Sequence, residues 1–184
     1  PVMAKDIPVA GFGKKLDLKT NKKIDIPYND STKLAGNSDF TVSMWIFPRA
    51  EAGCKTLYRQ NTSEPGACGV WFRCEYDTSD KNAYLYFMFD KFNTGWQFAW
   101  PWGSIPANII KFPLNQWTHV ALTKEGSLVK TYVNGAENYK ITLDPTRFGA
   151  SSPTNAAISV GGDTAGNYFD GCIDEVRFWK TALS

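Results

Sequence analysis

Apolar and polar side chains alternate along this chain in short runs, separated by clusters of Gly, Pro, Asn, Asp and Ser. A period of two sends successive side chains to opposite faces, so each run predicts a β-strand, and no long segment carries a helical period. Phe40-Thr-Val-Ser-Met-Trp-Ile-Phe-Pro puts Phe40, Val42, Met44 and Ile46 on one face and Thr41, Ser43, Trp45 and Phe47 on the other. Leu16-Asp-Leu and Lys23-Ile-Asp-Ile flank Lys19-Thr-Asn-Lys, which predicts a hairpin carrying Leu16, Leu18, Ile24 and Ile26 over a core edge. Strands follow at Thr56 to Arg59, Gly69 to Tyr76, Ala83 to Asp90 and Gly95 to Trp102. Trp117 to Thr123, Leu128 to Val133 and Ala136 to Thr142, joined by Lys124-Glu-Gly-Ser and by Asn134-Gly135, predict a three-stranded meander with a type I′ turn. Ala157 to Val160 and Phe169 to Trp179 complete an all-β chain of two stacked antiparallel sheets closed by the last strand.

Composition narrows the function classes. With 184 residues, 43% apolar and 21% charged, the chain suits one domain around one core. Residues 1–13 read as a lead-in and 14–184 as the domain. A net charge of +2 offers no field for nucleic acid. Apolar stretches such as Tyr84 to Phe89 fall far short of the ~20 residues a membrane helix needs, so no membrane insertion is expected. The opening Pro1-Val-Met-Ala-Lys-Asp lacks a charged segment followed by an apolar one. Any secretion signal is therefore expected to lie upstream or to have been removed, and the chain reads as a domain of a larger one. Cys54, Cys68, Cys74 and Cys172 form no Cys-x-x-Cys pair, and with a single histidine, His119, they make a poor zinc set. Bridged and free cysteines both stay open; Cys68 and Cys74 share strand parity. Asn29-Asp-Ser and Asn61-Thr-Ser are glycosylation sequons.

Three segments, in order, resemble the laminin-G-like, concanavalin-A-like jelly-roll family. They are Phe40 to Pro48, Asn115-Gln-Trp-Thr-His-Val-Ala-Leu-Thr with Leu128-Val-Lys-Thr-Tyr-Val-Asn-Gly, and Phe169-Asp-Gly-Cys-Ile-Asp-Glu-Val-Arg-Phe-Trp-Lys-Thr-Ala-Leu-Ser. The resemblance covers residues 14 to 184 and implies a two-sheet antiparallel jelly-roll sandwich whose terminal strands lie side by side. Trp45, Trp117, Val120, Leu122, Ile173 and Val176 are residue types that fill such a core. The family hosts lectins, adhesion domains, virion surface domains and some glycosidases, so fold alone does not decide the role. Family members also bind calcium through loop carbonyls and an aspartate. Carried over, the positions are Gly36 or Asn37 and Asp174, oxygen ligands suited to a hard cation, although Asp174 serves equally as an ordinary hydrogen-bond acceptor.

Catalysis finds little purchase. Glycosidases of this group use a Glu-x-Asp-x-Glu run, because acid and nucleophile must flank one bond, and the chain has none. Asp174 and Glu175 are adjacent and point apart on a strand. His119 sits in an apolar strand with no Gly-x-Ser-x-Gly elbow, and reads as structural. Gly161-Gly-Asp-Thr-Ala-Gly lacks the Gly-Lys-Ser/Thr ending of a phosphate loop and reads as a turn.

Binding is the stronger expectation. Gly95-Trp-Gln-Phe-Ala-Trp-Pro-Trp-Gly aligns Trp96, Phe98, Trp100 and Trp102 on one face. Such a strip either fills the core or, near Pro101, stacks the apolar face of a sugar ring. Trp71 and Arg73 share one face of their strand, and Tyr84 and Tyr86 one face of the next, where they would extend the same groove. The lysine-rich first segment (Lys14, Lys15, Lys19, Lys22, Lys23 and Lys33) reads as a guarded edge strand. The expected function is a non-catalytic module holding a glycan or cell-surface ligand, in an extracellular, cell-surface or virion-surface setting. A structural or protein-interaction domain and a divergent glycosidase or lyase are the alternatives.

Overall fold

The computed structural model describes residues 15–18, 22–32, 38–49, 55–60, 68–77, 79–91, 95–98, 105–144 and 157–184. Among the described residues thirteen strands form two antiparallel sheets and no helix occurs. The six-stranded sheet runs β1(Leu16–Leu18), β13(Gly171–Trp179), β3(Phe40–Pro48), β9(Thr118–Glu125), β10(Leu128–Val133), β11(Ala136–Thr142). The seven-stranded sheet runs β2(Ile24–Ile26), β12(Ile158–Val160), β4(Lys55–Gln60), β5(Cys68–Asp77), β6(Asn82–Lys91), β7(Gly95–Phe98), with β8(Phe112–Pro113) also on β6. The first and last strands pair, Leu16 opposite Ile173 and Leu18 opposite Gly171, as expected of a jelly roll.

Alternation accounts for the core. Phe40, Val42, Met44 and Ile46 of β3 point inward with Val120 and Leu122, at 2% exposure or less. Val70 and Phe72 of β5 and Leu85, Phe87 and Phe89 of β6 face them. Rings join the layers: Phe40 lies 6.2 Å from Phe89, and Phe178 stacks on Tyr58 at 6.4 Å. Each such side chain contributes on the order of 1.5–3 kcal/mol by leaving water. The β9-β10-β11 meander is present, and its turn holds Asn134 at φ 49° and Gly135 at φ 81°, both in the left-handed region a type I′ turn demands.

Four expectations are corrected. Leu16–Leu18 and Ile24–Ile26 do not form a hairpin: β1 pairs with β13 and β2 with β12, so the chain crosses from one sheet to the other between them. Each finds a longer-range partner and becomes the edge of its own sheet, where Lys15 and Lys22 are exposed. Trp45 and Trp117 are half-buried rather than core, since Trp45 belongs to the outward set of β3 and Trp117 precedes β9. A bulge between Asp174 and Arg177, with Glu175 at φ 51°, shifts the register of β13 and turns Val176 out to 40% exposure. Cys74 and Cys172 are free and buried, so neither joins a disulfide; the side chains of Cys54 and Cys68 lie outside the described residues. Of the sequons, Asn29 is exposed in a turn and Asn61 lies outside the described residues.

Candidate functional site

Chemistry gathers on the outward face of the seven-stranded sheet. Pairing sets Arg59 opposite Trp71 and Thr56 opposite Arg73, then Arg73 opposite Tyr86 and Glu75 opposite Tyr84. Residues 56 and 59 have opposite parity and would face opposite ways on a regular strand. The bulge between Thr56 and Tyr58 inserts one residue and turns both outward. Trp71, half-buried, donates its indole N–H to Thr56 Oγ1 at 2.8 Å. Two guanidiniums lie against the same ring, with the Arg59 and Arg73 Cζ atoms 4.3 and 4.5 Å from its centroid, within cation–π range. Arg73 also pairs with Glu75 at 3.2 Å and lies 5.7 Å from the Tyr86 ring, while the Tyr84 hydroxyl donates to Glu75 Oε2 at 3.2 Å.

The acidic organiser is Asp163, in the loop between β12 and β13 and 1% exposed. Its Oδ1 accepts the backbone N–H groups of Ala165 at 2.8 Å and Asn167 at 3.1 Å. Its Oδ2 accepts the Thr56 hydroxyl at 2.9 Å and the Asn167 side-chain amide at 3.0 Å, and pairs with Arg59 at 3.1 Å. Burial by itself raises this carboxyl's pKa, but the hydrogen bonds from Asn167, Thr56 and Ala165 outweigh it and hold the group below the usual carboxylate value. Gly161 lets the loop leave β12: it sits at φ +78°, and a Cβ there would overlap Leu18 Cδ1. Its N–H donates to Leu57 O at 3.1 Å and its carbonyl accepts Phe169 N at 2.9 Å.

Four of the expected ligand residues, Trp71, Arg73, Tyr84 and Tyr86, do share this face. The expected open groove, however, is not lined by Arg73, Tyr84 and Tyr86, which are 4%, 7% and 3% exposed. These long side chains cover one another through the Arg73–Glu75–Tyr84 contacts. Burial lowers the pKa of the Arg73 guanidinium and raises those of both phenols. Trp71 is not a bare stacking platform either, because two guanidiniums already lie against its ring. β7 pairs with β6, Trp96 opposite Asp90 and Phe98 opposite Met88, but the Trp96 side chain and all of Trp100 and Trp102 lie outside the described residues.

The calcium set is only partly within view. Asp174 stands opposite Trp45 on β3, and its Oδ1 accepts the N–H of Glu175 at 2.8 Å. Gly36 and Asn37 lie outside the described residues. Among the described residues no group of three or more His, Cys, Asp and Glu side chains gathers around one point. His119 is half-buried, 5.3 Å from Trp45 edge to face, and its pKa is lowered by burial and then by Arg177. Sequence reasoning missed Arg59, hidden by the bulge, and Asp163, dismissed as part of a turn. The signal for Asp163 was its spacing to Asn167 after two glycines.

The fold has counterparts among known proteins. No curated protein sequence matches the chain. Domain 4 of AbnA, an extracellular arabinanase from Geobacillus stearothermophilus solved in complex with arabinotriose, is 25% identical at a TM-score of 0.63, over 95% of this chain and 74% of that one. Mouse laminin α1 domains LG4–5 are 19% identical at a TM-score of 0.64, over 100% of this chain and 46% of that one. A Trypanosoma rangeli sialidase is 17% identical at 0.52, over 80% of this chain and 21% of that one, so this chain spans only part of those proteins. The jelly-roll sandwich is common to all three. The family profile described as the concanavalin A-like lectin/glucanases superfamily matches residues 18–184, and the chain belongs to that superfamily.

Proposed function

We propose that this domain binds carbohydrate without cleaving it, as a module of a larger extracellular protein, on the outward face of the seven-stranded sheet. The observation that carries the reading is the row Arg59, Trp71 and Arg73, tied to Asp163 and Glu75, on a face where Trp71 and Arg59 remain part-exposed. Sugars offer hydroxyl pairs and apolar C–H faces. A fixed guanidinium beside an indole edge meets both, with the remaining Arg59 donors reading hydroxyls and Trp71 supplying apolar contact. The arabinotriose complex of the 25%-identical arabinanase domain supports the ligand class.

The carboxylates argue against hydrolysis. Asp163 is held ionised by its donors and Glu75 is spent on Arg73 and Tyr84, so neither is placed as a proton donor to a leaving oxygen. A second reading has its own observation: the burial of Tyr84 and Tyr86 fits a structural or protein-interaction domain. Titration calorimetry against arabinotriose, maltotriose and triacetylchitotriose, with and without calcium and with a reducing-end assay alongside, separates these readings. Saturable binding weakened tenfold or more in folded Arg59→Ala and Trp71→Ala variants is expected. No binding to any glycan would favour the second reading, and release of reducing ends would overturn the non-catalytic one.

A further inference from the structure

A cavity of about 300 Å³ lies on the opposite side of the molecule, on the outward face of the six-stranded sheet. Its floor comes from the two central strands: Thr41 and Ser43 of β3 lie beside Thr123 and Ala121 of β9 in direct register. These side chains are small, so the sheet surface is low there. The flanking strands carry large ones, Trp179 on β13 opposite Thr41 and Tyr132 on β10 opposite Ala121. The walls therefore stand three strand spacings apart, about 14 Å between backbones, with a sunken floor between them. His119, braced edge to face by Trp45, closes one end.

Two hydroxyls on the trough floor have no work inside the fold. Among the described residues the hydroxyls of Ser43 and Thr123 make no hydrogen bond, and His119 Nδ1 is buried without a partner. Ser43, opposite Ala121, and Thr123, opposite Thr41, therefore keep their hydroxyls for a ligand or its water on the trough floor. Thr41 differs: its hydroxyl donates to Thr181 O at 2.8 Å and accepts Leu183 N at 2.9 Å, pinning residues 181–183 along the wall. The lining carries no charged side chain, and burial together with Arg177 favours the neutral imidazole, so the site suits an uncharged molecule.

We infer that the trough floored by Ser43, Ala121 and Thr123 and walled by Trp179, Tyr132 and His119 is a second carbohydrate subsite, taking one neutral sugar ring. The aromatic walls contact the ring's apolar C–H faces, and the floor hydroxyls meet its hydroxyl edge. The inference shares the ligand class of the reading above but none of its residues. A glycan held on both outward faces would run past the domain or bridge two glycan strands.

The test is an NMR titration of the ¹⁵N-labelled chain with arabinotriose, maltotriose and triacetylchitotriose, on the parent and on Trp71→Ala and Trp179→Ala variants checked for folding. Expected are saturable shifts at the amides of Ser43, His119 and Thr123 and at the Trp179 indole, surviving in Trp71→Ala and reduced at least tenfold in affinity in Trp179→Ala. A Ser43→Ala, Thr123→Val double variant, which keeps the walls, loses the same shifts. Shifts confined to the Trp71 face would overturn this inference and leave the first reading standing. Shifts in the trough alone would do the reverse, and none with any of the three sugars overturns both.

Discussion

Replacing Asp163 tests whether one carboxylate organises the candidate face. In Asp163→Ala the N–H groups of Ala165 and Asn167, the Thr56 hydroxyl and the Arg59 guanidinium all lose their acceptor. Ala165 is exposed, so water recovers part of its loss; Thr56, fully buried, and the buried Arg59 Nη1 recover nothing. Counting about 1 kcal/mol for each of the hydrogen bonds from Ala165, Asn167 and Thr56 gives a destabilisation of at least roughly 3 kcal/mol, to which the loss of the largely buried Arg59 pair adds. For a domain of this size that is a fall in Tm of about 6–12 °C. Asp163→Asn keeps one acceptor oxygen for the loop N–H groups and costs about 1 kcal/mol. The carboxyl's pKa is depressed in the fold, so its contribution is complete above the unfolded value near 3.8 and is lost as pH falls through the folded value. The gap between parent and Asp163→Asn should therefore close on acidification below about pH 4. Urea unfolding followed by tryptophan fluorescence, at neutral pH and across an acid series, measures all three. The reasoning is refuted by an Ala variant within about 1 kcal/mol of the parent, by an Asn variant as damaged as Ala, or by a gap indifferent to acid.

Other outcomes follow from local geometry. Gly161→Ala adds a left-handed penalty of about 1–2 kcal/mol to an overlap with Leu18, whereas Gly166→Ala, at φ +87° with open space around it, carries the penalty alone; thermal melts should rank them in that order. Ile173→Ala should cost about 2–5 kcal/mol and Val176→Ala less than about 0.5, because the bulge turns Val176 outward; equal losses in urea melts would deny the register shift. Burial, with Glu75 next to it, pushes the Cys74 thiol up to about 12, so alkylation at pH 8 followed by peptide mapping should find it modified only after unfolding.

The strand inventory was legible before any coordinates, because alternation with β-branched and aromatic residues is a local signal. The inward set of β3, the meander through Asn134-Gly135 and the pairing of the terminal strands were all found where the pattern and the family resemblance put them. Partner choice is not local. Leu16–Leu18 and Ile24–Ile26 read as a hairpin because they are neighbours in the chain, yet each gains more by extending a different sheet. Bulges are equally hidden, since one inserted residue reverses the facing of all that follow: that put Arg59 beside Thr56 and turned Val176 from core to surface.

The site divides along the same line. Composition and spacing determined which residue types the chain offers: the aromatics, the lack of a Glu-x-Asp-x-Glu run, and one face shared by Trp71 and Arg73 and one shared by Tyr84 and Tyr86. Tertiary structure alone decided which of them are exposed, because exposure depends on what other strands and loops bring alongside. The Arg59 guanidinium against Trp71, an aspartate arriving from the loop before β13, and a trough left between Trp179 and Tyr132 all arise from different strands and loops brought together. Periodicity within one strand carries no record of its neighbours.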